Sequence, residues 1–155
     1  MTTPIRRLDE GDWQTYRAVR LAALRDAPAA FTSTYADAMD FTEHDWRHGL
    51  SLPCWVAGPG HTPTGMVRVG RLEAVEPELI SMWVAPIARG TPMAADLVDA
   101  VLEWARGQGR AGVRLRVVVD NDRARSFYRR CGFCPDGTTH TLPDGRAEIG
   151  MSYRF

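Results

Sequence analysis

The sequence contains no lysine, because all 19 of its basic residues are arginine. A Walker A phosphate loop requires a lysine, so this class of nucleotide-binding site is excluded. The 19 acidic residues balance the 19 basic ones, which argues against a broadly basic surface. We therefore expect no nucleic-acid partner.

Long apolar segments and a disulfide framework are also lacking. No run of about 18 apolar residues could cross a bilayer, and the opening residues MTTPIRRLDE do not form a secretory signal. Three cysteines, at positions 54, 131 and 134, cannot all pair within one chain, which fits a reducing compartment. The sequence thus predicts a cytoplasmic protein with no membrane partner.

The composition that remains is that of a globular protein. Hydrophobic residues make up 45% and charged residues 25% of the 155 positions, and this length is usual for one domain. Neither a repeat nor a linker interrupts the chain. Residues 1–155 are therefore predicted to form a single domain.

Hydrophobic periodicity and turn residues predict an alternation of strands and helices. We expect strands at 3–8, 53–58, 64–73, 77–85 and 113–119, with two more after Gly132 on either side of a turn at 143–145. Helices are expected over 12–25, 42–50, 94–105 and 121–130, and a long loop over 26–41. The short, mixed connections between the middle strands favour an antiparallel arrangement.

One stretch with chemical potential is VAPIARGTPMAADL, residues 84–97, which runs from a strand through Arg89 and Gly90 into a helix. The first turn of a helix offers unpaired N–H groups and a positive dipole end to a phosphate. Pro92 has no N–H to offer, yet proline suits the first helical position. The stretch is therefore either a phosphate site or only a well-formed helix start.

A second stretch is NDRARSFYRRCGF, residues 121–133. Asn121 directly follows a predicted strand and is a preferred N-cap residue, while Gly132 is suited to a left-handed helix end. Ala124 and Tyr128 lie on one face of the helix between them. Ala124 leaves room for a ligand and the Tyr128 phenol could donate a proton; the alternative is an amphipathic helix with Tyr128 in the core.

Together, VAPIARGTPMA and NDRARSFYRRCGF resemble the motifs of the GNAT superfamily of acyl-CoA-dependent N-acetyltransferases. The resemblance covers essentially the whole chain. It implies an α/β (α+β) fold, with a mixed, mainly antiparallel twisted sheet of six to seven strands and helices on both faces. It also implies an enzyme that moves an acetyl group from acetyl-CoA directly to a primary amine of a small molecule, peptide or protein, as a monomer or homodimer and without a metal.

The resemblance further implies roles for particular residues. Residues 89–94 would bind the coenzyme A pyrophosphate, and the strand edge would bind the pantetheine arm, with the start of the later helix beside it. The cofactor-binding residues expected on this basis are Trp83, Val84, Arg89, Gly90, Thr91, Met93, Ala94, Asn121 and Ala124. Tyr128 would protonate the departing thiolate.

Glu78 is the expected general base. An alkyl ammonium of pKa ~10.4 must lose a proton before its nitrogen can attack a thioester. Glu78 stands eleven positions before Arg89, which is similar to the place of the base in the histone-acetylating branch of the superfamily. The alternatives are a surface charge at the start of a strand, with Glu73, Glu76 or water as the base.

Three features leave alternatives open. Pro92 stands where the family usually has glycine, which allows a non-catalytic acyl-CoA-binding or sensing module as the alternative function. Arg20, on an otherwise apolar helix face, either forms a structural ion pair or orients an acidic substrate. The Cys-x-x-Cys spacing at 131–134 and the pair His44 and His48 lack the other residues of known metal motifs, so no metal site is predicted.

Overall fold

The computed structural model describes residues 4–31 and 33–155. Thr3, at the start of the predicted first strand, and Thr32, within the predicted long loop, lie outside the described residues. The seven strands in the described part of the chain are β1 (Ile5–Arg7), β2 (Cys54–Ala57), β3 (Gly65–Gly70), β4 (Glu78–Val84), β5 (Gly112–Val118), β6 (Cys134–Thr141) and β7 (Ala147–Arg154). The α-helices there are α1 (Trp13–Asp26), α2 (Tyr35–Met39), α3 (Glu43–Gly49), α4 (Met93–Gly107) and α5 (Asp122–Arg130).

The strands form one sheet in the order β1-β2-β3-β4-β5-β7-β6. The pairs β1–β2, β2–β3, β5–β7 and β6–β7 are antiparallel. β4 and β5 are parallel, with Glu78 opposite Arg114. A long helix connects these two strands, as a parallel pair requires. The fold predicted from the sequence, a mixed and mainly antiparallel sheet with helices, is confirmed.

The chain divides into two compact units, and the division runs through β4. The first unit contains the chain up to Gly70 together with Ile80–Val101. Its buried cluster joins α1, α2 and α3 to the strands, and its largest members include Tyr16, Leu24, Trp46, Met66 and Trp83. Burying aromatic and aliphatic side chains of this size supplies about 1.5–3 kcal/mol each. The packing holds α1 at a fixed position in this unit.

The second unit contains Arg71–Leu79 and Leu102–Phe155. β5 pairs with β7 along its whole length, from Gly112 opposite Arg154 to Val118 opposite Glu148. Phe133 is fully buried and contacts the ring of Tyr153, with the two centroids 5.7 Å apart. These contacts give the unit a core of its own.

The predicted loop over 26–41 is partly wrong, because it contains helix α2. The Thr34 hydroxyl accepts a hydrogen bond of 3.1 Å from the N–H of Asp37 and caps this helix. With five residues, α2 is too short to display a 3.6-residue hydrophobic period. The predicted strand over 64–73 ends earlier, at Gly70, because Arg71 adopts a φ of 50° and turns the chain.

The length and polarity of the helices bear on the expectation that no segment of the chain crosses a membrane. None of the helices in residues 4–31 and 33–155 is both long enough and apolar enough to cross a bilayer.

Candidate functional site

The segment after β4 forms a strand–turn–helix unit. β4 ends at Val84, a short 3₁₀ turn covers Pro86–Ala88, and α4 begins at Met93. Gly90 has a φ of 79°, in the left-handed region, and a Cβ added there would meet no atom within 4 Å. The glycine is therefore required by its backbone conformation, while the space beside it is open to a ligand.

Thr91 organises the first turn of α4. Its hydroxyl donates a hydrogen bond of 2.5 Å to the carbonyl of Ala88 and accepts one of 3.4 Å from the N–H of Met93. The carbonyl of Pro92 accepts from the N–H of Asp96 at 2.9 Å, so Pro92 joins the helix without needing an N–H. Met93, one of the expected cofactor-binding residues, thus has its N–H bound to Thr91 and its side chain buried.

Arg89 is held by two contacts in the first unit. Its Nη2 lies 2.6 Å from Oδ2 of Asp26, the last residue of α1, and its Nε donates to the carbonyl of Val84 at 3.2 Å. The same Asp26 oxygen accepts a hydrogen bond of 3.0 Å from the indole N–H of Trp83. Arg89 remains 44% exposed. Asp26 therefore positions two of the expected cofactor-binding residues, Trp83 and Arg89.

Asp26 had no sequence signal. Its partners Trp83 and Arg89 are 57 and 63 positions away along the chain, and an acidic residue at the end of a helix is not a motif. Only the tertiary packing of α1 brings this carboxylate to the end of β4.

β4 is irregular near its centre. Ser81 has a φ of 57°, which is unusual for a residue other than glycine and costs on the order of 1–3 kcal/mol. Only Leu79 and Trp83 of this strand are buried, on either side of Ser81. Irregular strand positions of this kind redirect backbone groups and are common beside functional sites.

The second motif stretch, residues 121–133, includes the start of α5 and lies in the second unit. The Asn121 side chain accepts a hydrogen bond of 3.1 Å from the N–H of Ala124, so the predicted N-cap is confirmed. Gly132 has a φ of 102°, which confirms the left-handed helix end. Asn121 and Ala124 are thereby fixed relative to each other at the first turn of the helix.

Tyr128 is buried, and its ring contacts Phe127 and Phe133 with centroids 5.1 Å and 5.9 Å apart. Burial raises the pKa of Tyr128, and the charge of a Cys131 thiolate would raise it further. The phenol therefore keeps its proton throughout the neutral range. It is able to donate a hydrogen bond but is a poor source of a fully transferred proton.

Glu78 lies between two guanidinium groups in the second unit. Its Oε2 is 3.1 Å from Nε of Arg71 and its Oε1 is 3.8 Å from Nε of Arg116. Its side chain is 14% exposed, whereas that of Arg71 is 53% exposed. Both carboxylate oxygens are thus engaged, and neither partner could be predicted from the sequence because each contact depends on the tertiary fold.

A comparison of the sequence with known families decides the family. The profile of the acetyltransferase (GNAT) family matches residues 20–133. The chain belongs to the GNAT family. The match includes both motif stretches, 84–97 and 121–133, and extends from the middle of α1 to Phe133.

Individual GNAT proteins are similar in sequence or in structure. An uncharacterized N-acetyltransferase of Methanocaldococcus jannaschii is 38% identical over 56 residues, which are 36% of this chain and 25% of that relative. The chain therefore matches only about a quarter of the length of this curated relative. A GNAT acetyltransferase from Streptococcus pneumoniae superposes with a TM-score of 0.80 at 16% identity, covering 99% of each chain.

The PaiA N-acetyltransferase from Thermoplasma acidophilum, solved in complex with coenzyme A, superposes with a TM-score of 0.72. Its identity to this chain is 16%, and the superposition covers 100% of each chain. At these identities the likeness to solved structures establishes the GNAT fold and leaves residue roles to be argued from this chain.

The histidines and cysteines singled out in the sequence have no assigned part in this GNAT site. His44 and His48 stack on the exposed face of α3, with ring centroids 6.5 Å apart. Cys54 and Cys134 are free thiols. Within residues 4–31 and 33–155, no group of three or more His, Cys, Asp or Glu side chains is placed to hold a metal ion.

Proposed function

We propose that this protein is an N-acetyltransferase that moves the acetyl group of acetyl-CoA directly to a primary amine. The observation that carries the proposal is the strand–turn–helix segment at residues 84–94, which lies inside the match to the GNAT family. The similar PaiA enzyme, solved with coenzyme A, supports coenzyme A as the carrier of the acyl group.

The pyrophosphate of coenzyme A would bind at the start of α4. The open space beside Gly90 and the positive end of this long helix fit an anion. Gly90, Thr91 and Ala94 would donate their N–H groups, and the exposed guanidinium of Arg89 would supply the charge. The Met93 N–H is a weaker candidate because the Thr91 hydroxyl already accepts it.

The acyl end would lie along β4 beyond the irregular Ser81, where Trp83 and Val84 are the proposed contacts of the pantetheine arm. Asn121 and Ala124 are proposed as further contacts on the strength of the family motif. In the reaction, the amine nitrogen forms a bond to the thioester carbon and the carbon–sulfur bond breaks. Backbone N–H groups near Val84 would stabilise the negative charge that develops on the carbonyl oxygen.

Tyr128 is the proposed donor to the departing sulfur. A thiol has a pKa of ~8.5, and burial raises the pKa of Tyr128 well above its usual range. Full proton transfer from this phenol to a thiolate is therefore uphill. Tyr128 would act by donating a hydrogen bond that stabilises the thiolate until water or buffer protonates it.

Glu78 is the proposed base that receives the proton of the attacking amine, directly or through water. Its carboxylate can do so because Arg71, its nearer partner, is mostly exposed and can be displaced at small cost. If Glu78 only forms its ion pairs and does not act as a base, water accepts the proton of the amine instead. The acceptor is proposed to be the amine of a small molecule, a peptide or a protein.

A non-catalytic acyl-CoA-binding or sensing module is the second candidate, and two observations favour it. Pro92 removes a phosphate donor that the family motif usually provides, and Glu78 is engaged by two arginines. Such a module would bind acyl-CoA without accelerating its reaction with amines.

The two candidates separate in a thiol-release assay combined with calorimetry. We expect acetyl-CoA to bind, and a panel of primary amines to release the coenzyme A thiol above the rate without enzyme across about pH 6–9, with a rate that rises with pH as more of the amine loses its proton. Binding without any amine-dependent thiol release would support the sensing module. Absence of binding would contradict both.

The remaining expectations complete the proposal. We propose that residues 1–155 act as one catalytic domain, in the cytoplasm, as a monomer or homodimer. Size-exclusion chromatography with light scattering tests the oligomeric state, and fluorescence microscopy of the tagged protein tests the location.

A further inference from the structure

A cavity in the first unit is lined by residues whose buried N–H donors include three that have no acceptor. It has a volume of about 180 Å³ and is lined by α1, the α2–α3 region and β3. Four buried polar side-chain atoms lack a hydrogen-bond partner among residues 4–31 and 33–155, and three of them belong to residues of this cavity: Nη1 of Arg20, Nε1 of Trp46 and Nε of Arg68. All three atoms are donors, so the group they lack is an acceptor.

Both cavity arginines are fixed by their surroundings. The guanidinium carbon of Arg20 lies 4.7 Å from the ring centroid of Phe31, and that of Arg68 lies 5.1 Å from the ring centroid of Tyr16. Arg68 also donates from Nη2 to the carbonyl of Gly49 at 2.7 Å. Stacking of this kind leaves the N–H edges of a guanidinium free to bind a planar anion.

No counter-ion balances these two charges. Arg20 is 8% exposed, and within the described residues no carboxylate lies within 4 Å of either guanidinium. The ion pair expected as one alternative for Arg20 is therefore absent from this part of the chain. Burial is the main reason that the pKa of Arg20 is lowered, and the nearby charge of Arg68 lowers it further. An anion bound to both arginines would offset these penalties.

The one acidic residue among the described residues that line the cavity is already committed. Asp45 accepts a hydrogen bond of 2.9 Å from the N–H of Thr42 and completes the capping box of α3. The other walls include Leu24, Ala38 and the rings of Phe41 and Trp46, which contact each other with centroids 5.2 Å apart. The lining of the cavity thus combines apolar side chains with two arginines.

Residues that line the cavity share a buried cluster with the strand that is proposed to bind the acyl group. Tyr16, Leu24 and Trp46, which line the cavity, belong to the same buried cluster as Trp83 of β4. From these observations we propose that Arg20 and Arg68 bind the carboxylate of the acetyl acceptor, so that the substrate is a small amine that also carries a carboxylate. This inference rests on the proposed acetyltransferase function, because it names the acceptor of that reaction.

The test compares two matched series of amines as acceptors. One series is glycine, β-alanine, γ-aminobutyrate and δ-aminovalerate, and the other is the n-alkylamines of equal carbon number. We expect kcat/KM to favour the amino acid at one chain length by about 10- to 100-fold, the value of a hydrogen bond to a charged group. Equal kcat/KM values at every length would overturn the proposal.

Substitutions test whether these two arginines cause the preference for the amino acid over the alkylamine. Arg20→Gln and Arg68→Gln should each lower the ratio of amino acid to alkylamine kcat/KM by about 10-fold or more. Arg20→Lys, which keeps the charge but loses the planar fork, should give an intermediate ratio. Arg17→Gln is the matched control, because it removes the same charge from α1 at a residue that does not line the cavity. A ratio that falls equally in Arg17→Gln would contradict the assignment.

A binding measurement separates this proposal from the proposed function. At matched ionic strength and without acetyl-CoA, butyrate at about ten times its Kd should raise Tm by about 3–6 °C, and butyramide should not. Stabilisation by butyrate without acetylation of any amine would retain the carboxylate site and refute the enzyme. Amine acetylation with no stabilisation by butyrate would retain the enzyme and refute the site, as would stronger stabilisation by inorganic phosphate than by butyrate.

Discussion

Pro92 offers the sharpest test of how the protein binds coenzyme A, through the substitution Pro92→Ala. The alanine supplies the N–H that proline lacks, while its side chain tolerates the first helical turn. The Pro92 carbonyl already accepts a hydrogen bond of 2.9 Å from the N–H of Asp96, and the Thr91 hydroxyl already accepts one from the N–H of Met93. The new N–H at position 92 therefore adds a donor to the loop without replacing an existing hydrogen bond. A net hydrogen bond to a charged phosphate supplies about 1.5–3 kcal/mol, or about 10- to 100-fold in Kd.

We expect a tightening at the lower end of this range, about tenfold, because residue 92 is exposed and water competes for the phosphate. The unfolded chain also gains freedom when proline is removed, which should lower the free energy of unfolding by about 0.4–1 kcal/mol. Calorimetry with coenzyme A measures the first effect, and urea denaturation measures the second.

Two controls make this result specific. Pantetheine lacks the pyrophosphate, so its affinity should be the same for the parent protein and Pro92→Ala. Pro143→Ala, in the turn before β7, should change stability in the same way as Pro92→Ala without changing the affinity for coenzyme A. An unchanged or weaker affinity of Pro92→Ala for coenzyme A would refute the assignment of this loop to the phosphates.

Three further substitutions test the proposed roles of Tyr128 and Glu78 and the effect of Gly132 on stability. Tyr128→Phe should lower kcat by about 10-fold or more with little change in the Kd of coenzyme A. The loss should be the same across about pH 6–9, because the raised pKa of Tyr128 keeps its phenol protonated over this range. An unchanged kcat, or an equal loss in Tyr153→Phe, would remove Tyr128 from the reaction. Glu78→Gln should lower kcat/KM by about 100-fold, whereas Glu76→Gln, which removes the rival carboxylate and breaks its pair with Arg154, should not. A loss in Glu76→Gln that equals or exceeds that in Glu78→Gln would contradict the assignment of the base to Glu78, and an unchanged kcat/KM in both variants would leave water as the base. Gly132→Ala should lower the free energy of unfolding by about 1–3 kcal/mol in a denaturation experiment. The reason is that the φ of Gly132 is 102° and the new Cβ would lie 2.7 Å from the Tyr153 ring. An unchanged free energy of unfolding would show that this helix end relaxes.

The features that sequence alone predicted are those fixed by local chemistry. Asn121 caps α5 because its side chain reaches an N–H three residues away, and Gly132 ends that helix because glycine tolerates a positive φ. The sheet with its helices followed from hydrophobic periodicity and from the family motifs. Each of these needs information from only a few neighbouring residues.

The features that sequence missed depend on contacts between distant segments. Asp26 meets Arg89 and Trp83 only because α1 packs beside β4, and the partners of Glu78 come from other parts of the fold. The surroundings of Arg20 were left open for the same reason. A cavity with unpaired donors becomes visible only when α1, α3 and β3 are brought together.

Isotope labelling follows the transfer of the acetyl group from acetyl-CoA to an amine. The protein is incubated with acetyl-CoA whose acetyl carbons carry a heavy isotope, together with δ-aminovalerate and other primary amines, and the products are identified by mass spectrometry. We expect one labelled N-acetyl amine for each coenzyme A thiol released. Labelled free acetate without any labelled amide, or no thiol release at all, would contradict it.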